Sequence, residues 1–107
     1  MNQRYLLIDD ERNYDADRVA RTFEDGIKAL QEERWDVVML DHDLGDPDPA
    51  KTGYGICNWL ENNPERQPDI VQLVTSNAVG RDRMKLALEK MGYIFQVSIA
   101  GFKRIGN

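Results

Sequence analysis

Short apolar runs alternate along the chain with longer segments in which apolar residues recur at helical spacing. Five of these runs predict β-strands, at residues 5–8, 18–23, 36–41, 70–74 and 94–99. The third run contains four consecutive apolar residues, Val37 to Leu40, which is typical of a parallel strand buried on both faces. We therefore expect this strand at the centre of a sheet and the more polar run at 18–23 at an edge.

Three segments between the runs predict helices, around residues 24–33, 56–62 and 81–91. The first has acidic residues in its first turn, where they suit the helix dipole. Pro64 and Gly92 follow the second and third helices and mark their ends. Segments 12–17 and 45–53 are polar or rich in turn formers and are predicted as loops.

This alternation of strands and helices predicts a single α/β domain over residues 1–107. We expect three layers, with a mostly parallel sheet of about five strands between helices on both faces. The apolar residues predicted to face the core are Leu6, Ile8, Val38, Leu40, Val71 and Leu73.

Polar residues close three of the predicted strands. Asp9 and Asp10 follow the first, Asp41 follows the central strand, and Thr75 and Ser76 follow the next. Ligands of open parallel sheets bind beyond the carboxyl ends of the strands, near the point where the strand order reverses. Carboxylates brought together there repel one another unless a cation offsets their charge. Oxygen ligands favour Mg²⁺ or Mn²⁺, and a strand-end hydroxyl can hold a phosphoryl oxygen.

Composition and charge narrow the function further. Residues 1–69 hold 17 acids and 8 bases, whereas residues 70–107 hold 2 acids and 6 bases, which argues against a general basic surface for duplex DNA. No apolar run reaches the ~20 residues of a membrane span and no signal peptide is recognisable, so we expect a cytoplasmic protein.

The single Cys57 forms no internal disulfide and is expected to be a packed thiol. We interpret Asp46 and Asp48 as solvated loop acids.

The strand-end residues resemble those of the receiver domains of response regulators. The resemblance rests on residues 6–11, 36–41, 53 and 74–75, and it implies a shortened receiver-like (flavodoxin-like) fold. It also implies Mg²⁺ binding by Asp9, Asp10 and Asp41, phosphorylation of Asp41, and contact of Thr75 with the phosphoryl group.

The sequence departs from standard receivers at several points. Only one helix is predicted between Asp9 and Asp41, where receivers have two, and the loop from Asp41 to Gly53 is expanded. The Lys-Pro pair that receivers place after the last strand is missing at residues 99–101, although Lys103 is close in sequence. A final receiver helix is not expected either. These departures weaken the interpretation as a signalling domain.

The same departures are similar to a narrower group, the cyclic-phosphate-processing receiver-like domains. The shared motifs are Asp9-Asp10-Glu11-Arg12, Asp41-His42-Asp43-Leu44-Gly45 and the stretch from Thr75 to Arg81. The resemblance implies chemistry on cyclic phosphates. Val74 stands where this group often has a His, so His42, the one His of the chain, is left to serve as acid or base.

Several candidate residues keep two interpretations. His42 is a general acid or base, or has an orienting role. Asp43 is predicted to point the same way as Asp41 and to be a direct or water-mediated metal ligand, or a catalytic carboxylate with Asp41. Asn77 and Arg81 bind a phosphate together with Thr75 and Ser76, or they are a helix cap and a solvated cation. Trp59 is predicted in the core, and Arg12 is given Glu11 or Asp15 as partner.

Three hypotheses follow. The first is a Mg²⁺- or Mn²⁺-dependent phosphoesterase that acts on a cyclic phosphate, nucleotide or RNA end, in which Asp41 or Asp43 activates water or is the nucleophile and Thr75 contacts the phosphoryl group. The second is a divergent receiver phosphorylated on Asp41. The third is a metal-stabilised binding module without turnover.

Overall fold

A computed structural model describes residues 2–105, which form six strands and three helices. The strands are β1 (Tyr5–Ile8), β2 (Arg18–Ala20), β3 (Val37–Leu40), β4 (Ile70–Leu73), β5 (Tyr93–Gln96) and β6 (Gly101–Arg104). The helices are α1 (Phe23–Glu32), α2 (Gly53–Asn62) and α3 (Ala78–Lys90). Met1 and residues 106–107, which belong to the predicted domain, lie outside the described residues. None of the described helices has the length and apolar character needed to cross a membrane.

The strands form one sheet in the order β2-β1-β3-β4-β6-β5. The first four are parallel, and β6 is antiparallel to both of its neighbours. All four residues of β3 are buried between β1 and β4, so the predicted central strand is confirmed. The α/β receiver-like fold with a mostly parallel sheet is confirmed as well. The six residues predicted to face the core are all buried.

The three helices differ from the predicted arrangement because they pack on one face of the sheet. Apolar residues of all three join a single core with the alternate strand residues that include Leu6, Val38 and Val71. The crossovers from β2 to β3 and from β3 to β4 step across the sheet in the same direction, and right-handed crossovers then place their helices on the same side. A loop, not a helix, joins β1 to β2.

The end of the described chain also differs from the prediction. Residues 94–99 were expected to form the last strand, but β5 ends at Gln96 and a short 3-10 turn covers Val97–Ile99. Ala100 then adopts a left-handed conformation with φ of 48°, and the chain returns as β6. Because β6 inserts between β4 and β5, the sheet has six strands where about five were expected.

Side-chain caps set the first residues of the helices. Thr22 Oγ1 accepts the N–H of Asp25 at 3.1 Å, which ends the predicted strand at 18–23 early and begins α1. Thr52 and Asn77 cap α2 and α3 in the same way. These two helices therefore begin three residues earlier than the apolar spacing predicted.

The Cys57 thiol lies fully buried in the core, as expected. Burial raises the pKa of this thiol to about 12, so almost none of it is thiolate at neutral pH. We expect a thiol-specific disulfide reagent to leave Cys57 unmodified in the folded protein and to modify one thiol per chain in denaturant. Rapid stoichiometric labelling of the native protein would contradict this packing.

Candidate functional site

Three carboxylates meet where β1 and β3 end. Asp9 and Asp10 follow β1, Asp41 follows β3, and one oxygen from each lies within 4.8 Å of the others. We call these three residues the acidic group. The connections from β1 and β3 leave in opposite directions across the sheet, so the acidic group lies at the point where the strand order reverses. Asp9 and Asp41 are buried, and Asp10 is half-buried.

The loop after β1 is held by backbone contacts. Asp9 Oδ1 accepts the backbone N–H groups of Glu11 and Arg12 at 2.8 and 2.9 Å. Arg21, which lies between β2 and α1, donates from Nη1 to the backbone carbonyls of Arg12 at 2.6 Å and of Asp9 at 3.2 Å. No role for Arg21 could be predicted from the sequence, because its partners depend on how β2 returns beside β1.

Arg12 supplies positive charge to the acidic group. Its Nη1 lies 3.0 Å from Asp9 Oδ2 and 3.4 Å from Asp41 Oδ2. The expected partners Glu11 and Asp15 were wrong, since the loop turns the side chain inward over the strand ends. The spacing of three residues between Asp9 and Arg12 was the one feature of the sequence that could have indicated their ion pair. The contact with Asp41 could not be predicted in this way, because Asp41 follows a different strand.

The surroundings of Asp9 and Asp41 move their pKa values in opposite directions. Burial alone would raise the pKa of Asp9, but hydrogen bonds from the backbone of Arg12 and Glu11 and from the Arg12 guanidinium lower it overall. Burial raises the pKa of Asp41, and the charge on Asp9 adds to that effect. The nearby Thr75 side chain and the charge of Arg12 lower the pKa of Asp41 but offset only part of this rise. Asp41 is therefore the more readily protonated of the two.

Thr75 joins the end of β4 to this site. It is buried, its side chain lies near enough to Asp41 to lower the pKa of that carboxyl, and its Oγ1 accepts the N–H of Asn77 at 3.1 Å. The convergence of Thr75 with Asp41 that the strand ends predicted is thus present. Ser76 is exposed, and Arg81 donates to the Thr75 carbonyl at 2.8 Å. Lys103 pairs with Ile70 at the opposite end of β4, away from the acidic group.

His42, Asp43 and Asn77 form a second polar cluster beside the first. His42 Nδ1 lies 2.9 Å from Asp43 Oδ1, and Asn77 Nδ2 donates to both Asp43 oxygens at 3.2 and 3.3 Å. The hydrogen bond with His42 lowers the pKa of Asp43. An ionised Asp43 accepts hydrogen bonds only, so Nδ1 carries a proton and a neutral ring has its lone pair on Nε2.

The Asp43 side chain therefore contacts His42 and Asn77, whereas the sequence predicted that it would point the same way as Asp41. It is exposed and is not a member of the acidic group that the described residues form. Its carboxylate holds the imidazole of His42, because the chain leaves the extended conformation after β3 and the strand alternation that aligned Asp43 with Asp41 no longer applies.

Two glycines allow α2 and α3 to approach the residues after β3. A Cβ on Gly80 would lie 2.4 Å from His42 Cγ, so the imidazole packs directly on the first turn of α3. A Cβ on Gly53 would lie 2.2 Å from the Asp41 carbonyl oxygen. Gly80 lies within α3, before the start at residue 81 that the apolar spacing predicted, and its lack of a side chain permits this close contact.

The acidic group fits a hard divalent cation. Its donors are carboxylate oxygens, and small shifts bring oxygens 4.8 Å apart onto one ion. The Arg12 guanidinium nitrogen between Asp9 and Asp41 is itself a cation stand-in, since it contacts one oxygen of each. Asp9, Asp10 and Asp41 are the residues that would hold such an ion.

The fold and these strand-end carboxylates define a receiver-like domain. The family model of the cyclic-phosphate processing receiver domain matches residues 4–90, which include the acidic group, the His42 cluster and all of α3. The chain belongs to this family. A search of curated proteins finds no match.

Proposed function

We propose that this domain binds Mg²⁺ or Mn²⁺ through Asp9, Asp10 and Asp41 and hydrolyses a cyclic phosphate or a related phosphoester. The substrate is a phosphate-containing small molecule, a nucleotide or an RNA end. The observation that carries the proposal is the convergence of three carboxylates, two of them buried, at the strand-order reversal of a chain in this family. Arg12 offsets only part of the charge of these three carboxylates, and a divalent cation would offset the rest.

Hydrolysis of a cyclic phosphodiester adds water across one ester bond. The water oxygen bonds to phosphorus, the ester oxygen leaves and gains a proton, and the product is a phosphomonoester. A bound divalent cation would polarise the phosphoryl oxygen and offset the developing charge. Asp41 takes the proton of the attacking water; in the alternative, its carboxylate attacks phosphorus and releases the ester oxygen, and water then hydrolyses the resulting acyl phosphate. The Thr75 hydroxyl contacts a phosphoryl oxygen.

His42 is the candidate proton carrier of the second cluster. With Nδ1 held by Asp43, its Nε2 exchanges protons with the reacting groups or the leaving oxygen. Asp43 then positions the ring, which replaces its predicted role as a metal ligand. Asn77 caps α3 through Oδ1 and holds Asp43 through Nδ2, so it connects the cluster to the helix.

A second candidate function is a receiver phosphorylated on Asp41. It is favoured by one observation, the proximity of the buried Thr75 side chain to Asp41, whose pKa it lowers; this puts a hydroxyl near the acceptor carboxylate. The position of Lys103 at the far end of β4 speaks against it, because a receiver needs a lysine at the phosphoryl group. Acetyl phosphate distinguishes the two functions, since it forms a hydroxylamine-sensitive acyl phosphate on a receiver.

Cation binding is tested by thermal unfolding. At ten times its dissociation constant, Mg²⁺ or Mn²⁺ should stabilise the fold by about 1.4 kcal/mol. For a domain of this size that energy raises Tm by roughly 6–11 °C. Asp10→Ala and Asp41→Ala should each remove most of the increase, whereas Asp15→Ala, which changes an exposed loop acid, should leave it intact. Equal increases in all four proteins would show that the acidic group is only surface charge.

Turnover is tested with a panel of 2′,3′- and 3′,5′-cyclic nucleotides and an oligoribonucleotide that ends in a cyclic phosphate. We expect cation-dependent formation of a phosphomonoester from at least one of them, detected by ³¹P NMR. Cation binding without any product would move the assignment to the binding module.

A further inference from the structure

We propose that Arg12 is a built-in counter-ion that a divalent cation displaces, and that the displaced guanidinium binds the phosphate of the ligand. The inference rests on the proposed function and adds a phosphate-binding residue to it. Nη1 lies against Asp9 Oδ2 and Asp41 Oδ2, and both residues belong to the group that would hold the cation.

The two carboxylate oxygens of Asp9 already accept different hydrogen bonds, and this difference leads to competition between Arg12 and a cation. Its Oδ1 accepts two backbone N–H groups, so Oδ2 is the oxygen best able to accept a further ligand. Arg12 Nη1 holds that same oxygen at 3.0 Å. A cation and the guanidinium therefore compete for the negative charge of Asp9 Oδ2.

The side chain of Arg12 is able to move while its backbone stays in place. The backbone N–H of Arg12 is bonded to Asp9 Oδ1, and its carbonyl accepts Nη1 of Arg21. Neither contact involves the Arg12 side chain, which is 30% exposed. The guanidinium thus turns away from the carboxylates without loss of the loop that carries it.

A displaced guanidinium stays beside the strand ends, where a phosphate oxygen would approach the cation. Its planar fork of N–H donors matches two phosphate oxygens. Arg81, the phosphate-binding arginine expected from the sequence, is instead bonded to the Thr75 carbonyl. Arg12 is therefore the better placed cation for this task, and cation binding should strengthen phosphate binding through it.

The test measures two affinities in the intact domain by calorimetry, for Mn²⁺ alone and for inorganic phosphate with saturating Mg²⁺. Arg12→Ala should bind Mn²⁺ about tenfold more tightly, because the competing ion pairs are gone, and phosphate about tenfold more weakly; each factor corresponds to about 1.4 kcal/mol. Arg12→Lys should keep part of both wild-type properties as a point charge without the fork. Arg18→Ala removes the same charge from the exposed Arg18–Glu32 pair and should change neither affinity.

The outcomes separate this inference from the proposed function. Wild-type binding of Mn²⁺ with unchanged or weaker Mn²⁺ affinity in Arg12→Ala would overturn the counter-ion role and leave the proposed function standing. Unchanged phosphate affinity in that variant would overturn the phosphate-binding role. If neither wild type nor Arg12→Ala binds Mn²⁺, both the proposed function and this inference fall. Metal-free thermal unfolding shows that each variant is folded before titration.

Discussion

Asp41→Asn should abolish phosphoester turnover while the domain remains folded. The substitution keeps the size of the side chain but removes the charge that, in the proposed function, would hold the cation and would either activate water or attack phosphorus. Asp36→Asn is a matched control, because Asp36 precedes the same strand at its opposite end and its carboxylate contacts the backbone of Arg4. We expect full turnover in Asp36→Asn, measured under the same cation concentration.

Thr75→Ala should reduce the rate by roughly 10²–10³ if its hydroxyl acts on the phosphoryl oxygen as an oxyanion-hole donor does. Thr75→Ser retains the hydroxyl and should retain most of the rate. Circular dichroism shows whether the alanine variant is folded, since Thr75 Oγ1 also accepts the Asn77 N–H.

A durable phosphoryl group on Asp41 would reverse the functional assignment. Mass spectrometry after incubation with acetyl phosphate and Mg²⁺ would reveal it, and hydroxylamine would remove it. A long-lived adduct of this kind, absent from Asp41→Asn, identifies a signalling receiver. Absence of both the adduct and turnover leaves the metal-stabilised binding module.

Trp35→Ala should cause the largest loss of stability among single substitutions proposed for this domain, about 3–5 kcal/mol. The indole is fully buried between α1 and β3, and its Nε1 donates to the Ala29 carbonyl at 2.9 Å. Because small domains have roughly 5–15 kcal/mol of stability in total, a loss of this size brings the protein close to unfolding. Urea denaturation measures it directly.

Two further variants separate the causes of that loss. Trp35→Phe keeps most of the buried ring but loses the hydrogen bond. We therefore expect a smaller loss of stability than in Trp35→Ala. It consists of the loss from the smaller side chain plus about 1 kcal/mol for the hydrogen bond. Trp59→Ala removes the same side chain from a half-buried position on α2 and should cost clearly less than Trp35→Ala. Equal losses for the two alanine variants would contradict the burial of Trp35.

Much of the fold was predictable because it depends on local pattern. Four apolar residues in a row identify β3, and acids directly after β1 and β3 identify the edge where Asp9, Asp10 and Asp41 meet. The parallel direction of the strands then suffices to bring those carboxylates together. The helix starts were less accurate, since the caps at Thr52 and Asn77 lie outside the apolar stripes.

Other features required the tertiary structure. The pairing of Phe102 with Val71 makes a strand of residues 101–104, where the local pattern predicted none. The partners of Arg12 and Asp43 depend on loop conformations in which strand alternation no longer holds.

The sequence by itself therefore determined the strand-end chemistry of this protein, a parallel sheet with carboxylates and a hydroxyl along one edge. Only the tertiary structure decided that the helices share one face, that β6 completes the sheet, and that Arg12 rather than Arg81 lies against the acidic group. The physical reason is that periodicity reports the contacts of neighbours in the chain. Strand insertion and ion pairing are set by segments that meet only when the whole sheet has formed.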